Sequence, residues 1–304
     1  MVITSIYCAA DRITYFSKII IYFQILNQQF KDCRQKEGYG YIMERDILDK
    51  IKKGETVAII PARAGSKGVK NKNIRCLRGY PMLAFSIAAC KMCRGIDRII
   101  VSTDSEEYAK IARYYGAETP FLRPAELAGD QSTDIEFMEH AINWLYEQEQ
   151  SVPEYFAHIR PTYPLREIEV IEKAIELFRA DASATSLRSA HLASNTPYKW
   201  FNLREDGYYK SILDDLTLDE ANNPRQAFPD VYIPDGYVDM LRTSFIVEHD
   251  LMHGDRMIGY VVPGGVDIDA MKDLEYLEYY LTKNTSPVLD YLEEYYDKLE
   301  DIHI

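Results

Sequence analysis

Short apolar runs of strand length alternate with helical patterns along this chain, and that alternation restricts the fold more than any other feature. Val57 to Ile60 reads as a buried strand that stops at Pro61. Pro81 to Met92 carries an almost continuous apolar helix signal, as expected of a buried crossover. Arg98 to Asp104 reads as a strand ending in polar groups, and Ser105 to Tyr115 as a helix stopped by Gly116. Asp134 to Glu149 is a third helix, with Phe137, Ala141, Ile142 and Leu145 on one stripe. Ala157 to Arg160 is a short strand, Glu169 to Ala180 a fourth helix and Ser183 to Leu187 a further strand. Strands alternating with helices imply right-handed crossovers and a mostly parallel sheet. The expected class is α/β, doubly wound and Rossmann-like. Ligands of such sheets bind at the carboxyl ends of the strands, where the loop after Pro61, Asp104 and Arg160 all fall.

The loop after Pro61 is the most chemically loaded stretch. It runs Ala62-Arg63-Ala64-Gly65-Ser66-Lys67-Gly68-Val69-Lys70-Asn71-Lys72-Asn73, with two glycines and four cations. Glycines let backbone N–H groups approach an anion closely, and Arg and Lys neutralise it. The matching ligand is a di- or triphosphate; the alternative is a solvated loop with no ligand. The loop is not a Walker A motif, because no Gly-Lys-Ser/Thr ends it. Nor is it a dinucleotide fingerprint, because Gly-x-Gly-x-x-Gly is absent.

A second group of charges closes the pattern. Asp267-Ile268-Asp269 stands before a helix expected over Met271 to Leu281. In an extended segment, residues two apart share a face. Two carboxylates so placed suit Mg²⁺ that also holds substrate phosphates; the alternative is that both cap the following helix.

Composition limits the partners. Among 304 residues, hydrophobic types make up 47% and charged types 27%, with a formal net charge of −13. A nucleic-acid binder has a basic footprint, so nucleic acid is not an expected partner. Five cysteines include Cys90-x-x-Cys93, which lies in an apolar helical pattern without a second pair; buried thiols in a reducing cytoplasm are expected rather than zinc or redox chemistry. Residues 1–42 carry five Lys/Arg against three Asp/Glu, opposite in sign to the remainder. Their apolar part, Tyr15 to Leu26, is broken by Lys18 and Gln24 and is too short to span a bilayer. This segment is expected outside the fold, as a start-site artefact or an interaction segment. A short amphipathic helix from Glu44 to Lys53 is expected to lead into the first strand.

Pro-Ala-Arg-x-Gly-Ser-Lys-Gly followed by Lys-Asn resembles the signature of the acylneuraminate cytidylyltransferases, the CMP-sialic acid synthetase family. Further stretches are similar to that family: Ile100 to Asp104, Phe121 to Asp130, His158 to Arg166, Asn195 to Phe201, Asn223 to Pro229, Ile233 to Asp239, and Asp267 to Asp269 with Asp273-Leu274. The resemblance covers about residues 57–281. It implies a nucleotidyltransferase fold with a small inserted dimerisation segment (about 190–232) in a domain spanning 43–281, followed by an acidic tail or helix, 282–304. Trp200 and Phe201 would serve as a dimer anchor or, alternatively, as a core pair.

The resemblance also implies roles. Arg63, Lys67 and Lys72 would act on the triphosphate of CTP. Ala62, Gly65, Ser66, Asn73 and Arg123 would bind the nucleotide, with a loop salt bridge to Glu126 as the alternative for Arg123. Arg160, Arg225 and Asp235 would face the sugar, and Asp267 and Asp269 would hold Mg²⁺. The chain departs from the family at two places: Arg160 replaces the usual Gln, and Asp235-Gly236 replaces Asn-Gly. Arg160 could pair with a substrate carboxylate or only with a local one. The implied reaction is transfer of CMP from CTP to the anomeric hydroxyl of a nine-carbon 2-keto sugar acid, by a cytoplasmic homodimer without membrane contact. No general base is evident. Rival readings are a CMP-Kdo synthetase, a glycosyltransferase using Asp-x-Asp, and a catalytically silent nucleotide-binding protein.

Overall fold

A 3₁₀ turn, Arg45–Lys50, leads into strand β1 (Ile51–Pro61), where the sequence pattern suggests an amphipathic helix through Lys53. Gly54, at φ +78°, explains the difference. Ile51 and Lys52 pair with Val152 and Pro153, and pairing resumes at Thr56 opposite Tyr155. A glycine with positive φ at such an irregularity keeps the polar segment Ile51–Lys53 in the sheet. The computed structural model describes residues 45–65 and 69–301. The segment 1–42 and the loop residues Ser66, Lys67 and Gly68 lie outside the described residues.

The chain continues through a two-strand ribbon, β2 (Cys76–Leu77) and β3 (Tyr80–Pro81), to helix α1 (Met82–Met92). Then come β4 (Arg98–Ser102), α2 (Glu106–Tyr114), α3 (Asp134–Glu149), β5 (Val152–His158) and α4 (Ile168–Ala180). The second half holds β6 (Ser186–Leu192), a hairpin of β7 (Phe201–Leu203) and β8 (Tyr209–Ser211), β9 (Tyr232–Arg242), α5 (Thr243–His249), β10 (Met257–Val261), α6 (Met271–Tyr280) and α7 (Pro287–Tyr295). The principal sheet has the order β10-β6-β9-β5-β1-β4. Only β9 runs antiparallel to its neighbours there, so β4, β1, β5, β6 and β10 open their carboxyl ends onto one edge. β6 starts at Ser186 rather than Ser183, because the Asp181 carboxylate accepts from the Ser183 N–H and holds that residue in a turn.

Helix α1 is buried on every side from Met82 to Cys90, which accounts for its continuous apolar signal. Its solvent side is closed by α7, whose Val288, Leu289 and Leu292 join the same core. Beyond α7, the Tyr296 carbonyl accepts from Tyr80 and the Leu299 N–H donates to the Gly79 carbonyl. The tail beyond 282 is thus docked. Cys90 and Cys93 are buried free thiols; burial pushes the Cys90 thiol up to about 12 and Cys93 up as well. Such thiols are inert.

One buried cation ties these layers together. Arg166 is 2% exposed, and all five of its N–H donors are used. They reach the carbonyls of Arg160 (2.6 Å), Gly236 (3.2 Å), Tyr237 (2.8 Å) and Tyr163, and the Ser86 hydroxyl (3.1 Å). The guanidinium also lies over the rings of Tyr163 and Tyr237. Arg166→Lys keeps the charge but cannot reproduce this fork. We expect it to lower unfolding free energy by about 2–4 kcal/mol, since several buried carbonyls lose charged donors. Urea denaturation measures this; an unchanged midpoint would contradict it.

Candidate active site

The loop after β1 is pinned at its described ends. The Ala62 N–H donates to Ser102 O (2.9 Å) and the Ala64 N–H to an Asp104 carboxylate oxygen (2.8 Å). Gly65 stands at φ +75° and Asn71 at φ 56°, a left-handed position on either side of residues 66–68. Asn73, buried, donates its side-chain amide to Arg63 O (3.0 Å) and so holds one end of the loop against the other. Arg63 reaches Ala128 O (3.1 Å) and Asp130 (3.2 Å). Lys72 reaches Ile268 O (2.9 Å) and Asp269 (3.1 Å).

Of these, Arg63, Lys72 and Asn73 line a cavity of about 520 Å³ at the carboxyl edge of the sheet, together with Arg123, Asp134, Phe137, Arg160 and Thr162. Arg123 forms its rigid positive floor. It is 5% exposed, donates to Ser102 Oγ (3.0 Å) and Ser102 O (2.7 Å), and lies over the Phe137 ring. Burial pulls its pKa down to about 10, so it stays a cation at neutral pH. No salt bridge to Glu126 forms; Ser102 takes those donors. Arg160 donates to Asp134 (2.6 Å) at the start of α3 and lies 3.8 Å from Asp239. The local-carboxylate reading of Arg160 is therefore realised in this state, while the side chain still lines the cavity.

The acidic segment has the expected alternation. Ile268 is fully buried, its N–H donating to Thr162 O (2.8 Å), and Asp267 and Asp269 on either side are exposed. Neither caps α6. Asp273 does so, accepting from the N–H groups of Asp269 (3.0 Å) and Ala270 (2.7 Å). Burial raises the Asp267 carboxyl, opposed by a hydrogen bond from Thr162. No cluster of three or more His, Cys, Asp or Glu suited to a metal occurs among the described residues. Two carboxylates, one bonded to Lys72 and one to Thr162, fit a hard divalent ion whose other ligands are water and phosphate oxygens, rather than a site built wholly of protein.

Two proposed sugar-side residues are placed differently. Arg225 does not line the cavity; it donates to Ala193 O (2.8 Å) just past β6 and lies 3.9 Å from Asp230. Asp235 is 5% exposed and accepts from Ser189 Oγ (2.7 Å) and the Tyr237 N–H (3.1 Å). Gly236 has φ +67°, as an Asp-Gly turn requires, and a Cβ there would meet Arg160 Cδ at 2.9 Å. Trp200 and Phe201 are 51% and 44% exposed on the β7–β8 hairpin, which rules out a core pair within this unit. Sequence reading missed Asp134, whose only cue was the Thr133…Glu136 capping box. It also missed a row across the sheet in which Asp239 on β9 stands opposite His158 on β5 and Arg188 on β6.

A mostly parallel sheet with a cation-lined cleft at its carboxyl edge defines a nucleotide-handling α/β protein. The sequence profile described as Cytidylyltransferase matches residues 57–300, and the chain belongs to that family, within the nucleotidyltransferases. An N-acylneuraminate cytidylyltransferase from Escherichia coli is 33% identical over 221 residues, 72% of this chain and 50% of that protein. The chain therefore spans about half the length of that relative. A CMP-N,N'-diacetyllegionaminic acid synthase from Campylobacter jejuni is 33% identical over 236 residues, covering 77% of this chain and 98% of that one. The solved CMP:2-keto-3-deoxy-manno-octonic acid synthetase complexed with CTP aligns with a TM-score of 0.55 at 14% identity, over 75% of this chain and 99% of that one. That likeness shows the fold. No helix among the described residues is long and apolar enough to cross a membrane.

The buried histidines set the acid stability of this framework. Burial pulls His140 and His253 down to about 4 and His158 to about 3, while it raises Asp239 to about 6. An imidazole held below its unfolded value of about 6.5 contributes stability that is full above that pH and is lost as pH falls toward the folded pKa. The raised Asp239 acts oppositely, losing stability as pH rises from about 4 to about 6. Three imidazoles against one carboxylate leave a net uptake of about two protons on unfolding near pH 5. Thermal midpoints should therefore fall steeply from pH 6.5 to pH 4.5; a flat profile over that range would contradict this.

Proposed function

We propose that this protein transfers CMP from CTP to the anomeric hydroxyl of a nine-carbon 2-keto sugar acid with Mg²⁺, releasing pyrophosphate. The acceptor would be sialic acid or a legionaminic- or pseudaminic-type relative. One observation carries the reading. Arg63, Lys72, Asn73, Arg123 and Arg160 converge on a single cavity, and Lys72 bonds to Asp269 of the acidic segment. In this reading the cations take the phosphates, and the acidic segment that Lys72 touches takes the divalent ion beside them. The names of the relatives supply the nucleotide and the sugar class.

In this reading Ala62, Gly65, Ser66 and Asn73 hold the nucleotide with Arg123, and Arg63, Lys67 and Lys72 neutralise its phosphates. Asp267 and Asp269 would hold Mg²⁺, which supplies positive charge to the phosphate oxygens and the leaving pyrophosphate when bound. The sugar oxygen forms its bond to the α-phosphorus as the bond to the β-phosphate oxygen breaks. The fixed cations offset the charge that develops, as in phosphoryl transfer generally. Arg160 is assigned to the sugar side from the cavity wall; Arg225 and Asp235, which do not line the cavity, would have to meet the sugar beyond it. The exposed apolar hairpin around Trp200, Phe201, Leu203 and Tyr209 supports a homodimer. Residues 1–42 and 282–304 are assigned as appendages to a cytidylyltransferase domain over 43–281.

Pyrophosphate release tests the reading, crossing CTP, UTP, ATP and GTP with N-acetylneuraminate, a legionaminate-type sugar and Kdo. Release only with CTP and one nine-carbon acid is the expected outcome. Release with Kdo alone would make the protein an eight-carbon synthetase, and CTP binding without release from any sugar would favour a silent binder. Asp267→Asn should lower turnover by about two orders of magnitude or more with little change in thermal midpoint, because the side chain is exposed and Asp273 caps the helix. Full activity of this variant at saturating Mg²⁺ would remove Asp267 from the metal role.

A further inference from the structure

We infer that His191, oriented by Asp235, is the general base that takes the proton from the sugar's attacking hydroxyl. The inference rests on the cytidylyl-transfer reading above, which names no base. His191 lies at the end of β6, on the sheet edge where the loop after β1 and Arg160 also emerge. Its Nδ1 is buried, has no hydrogen-bond partner, and lies 3.6 Å from Asp235 Oδ2, which is likewise buried and without a partner. These two atoms are the unmatched ends of one pair. The other carboxylate oxygen of Asp235 is fixed by Ser189 Oγ (2.7 Å) and the Tyr237 N–H (3.1 Å). That leaves Oδ2 aimed at the ring. A carboxylate held from behind and facing an imidazole nitrogen fixes the tautomer and stabilises the imidazolium that forms. A separation somewhat beyond hydrogen-bond length is usual for such pairs before substrate binds.

His191 is not itself among the residues lining the cavity; its neighbours connect it to the site. The His191 ring packs on Gly264, at the start of the segment that carries Asp267 and Asp269; a Cβ on Gly264 would lie 3.5 Å from ring carbons. Asp235 is joined directly to Gly236, whose Cα lies under the Arg160 side chain that lines the cavity. Tyr163 lies nearby, and burial pushes its phenol up to about 12, with Asp235 and Asp267 adding to the rise. His191 is the part-exposed member of the pair, at 29% of its side chain against 2% for Asp235, so Nε2 is the nitrogen left to meet a ligand. The charged and titratable groups around the pair are Tyr163 on the loop after β5, Asp239 further along β9, and Arg160, whose side chain lies against Gly236. Arg188, on the same strand as His191, is engaged with Asp239 instead.

The step balances simply. The anomeric O–H proton moves to His191 Nε2, the oxygen forms its bond to the α-phosphorus, and the pyrophosphate oxygen departs with the electron pair of the broken P–O bond. His191 is then the catalytic residue and Asp235 its positioning residue. The chain departs here from the Asn of the family it resembles: Asp, unlike Asn, brings a second carboxylate oxygen to the ring.

The test uses the full chain with CTP, Mg²⁺ and the acceptor that supports turnover. His191→Gln should lower kcat about 100-fold, within the usual range for a general base, while the KM for CTP and the CTP-induced thermal shift stay at wild-type values. The wild-type kcat/KM profile should show a one-proton loss of activity toward acid pH, and His191→Gln should lack it. Asp235→Asn should move that limb to lower pH and reduce kcat about tenfold or more. Imidazole added to His191→Ala should restore part of the lost rate. Retention of kcat within about threefold with the acid limb intact would overturn the assignment. Loss of the CTP-induced shift in His191→Gln would make the residue structural and overturn it as well. Wild-type protein that binds CTP but turns over no acceptor would instead refute the transfer reading itself.

Discussion

The site depends on a guanidinium that never faces it. Arg166 gathers the carbonyls of Arg160 and Tyr163 from the loop after β5 and those of Gly236 and Tyr237 from β9, and adds a hydroxyl from α1. Burial lowers its pKa, the mark of a cation taken out of water. Full use of its five donors offsets that desolvation, as buried charge requires. Three pieces of chain that share no regular pairing at this point are thereby set at fixed distances. Arg160 and Thr162 on one side, and Asp235 and Gly236 on the other, inherit their positions from this clamp.

The lone antiparallel strand between parallel ones carries buried carboxylates for both of its neighbours. β9 carries Asp235 and Asp239 at buried positions, and each serves a neighbour: Ser189 and His191 for the first, His158 and Arg188 for the second. The spacings around Asp239 are 3.7–3.8 Å, and its Oδ1, both His158 nitrogens and Arg188 Nε lack direct partners. Polar groups so spaced in a low-dielectric setting interact strongly without touching. Burial nevertheless outweighs the nearby charges, raising Asp239 and lowering His158.

Sequence legibility followed locality. The parallel core could be read because its strands and helices are continuous apolar signals, as in Val57–Ile60 and Met82–Cys90. The Asp267–Asp269 pair could be read because period two is a local rule, with Ile268 buried between them. Whether those carboxylates capped a helix was a local ambiguity, and Asp273 resolved it by taking the cap. Strand β9 was not legible as a strand, since its buried aspartates interrupt the apolar pattern. The partner of Arg160 is 26 residues away in sequence and that of His191 is on another strand. Such pairs are products of topology, and no spacing rule in one sequence announces them. The polar stretch Ile51–Lys53 was misread as helix because a single glycine at positive φ was enough to keep it in the sheet.

Charge is what the assembled cavity manages. The chain carries −13 overall, yet its cavity is lined by Arg63, Lys72, Arg123 and Arg160. Three of these cations rest on carboxylates: Arg63 on Asp130, Lys72 on Asp269 and Arg160 on Asp134. Only Arg123 is held by neutral partners, Ser102 and the Phe137 face. Partly exposed pairs of this kind are individually weak, each worth about 0–1 kcal/mol, so an arriving polyphosphate can displace their carboxylates at little cost. Displacement of Lys72 frees Asp269 beside Asp267 at the same moment. In the proposed reaction, a phosphate chain that captured Lys72 would expose the second carboxylate assigned to Mg²⁺, so anion and cation binding would reinforce each other through one side chain.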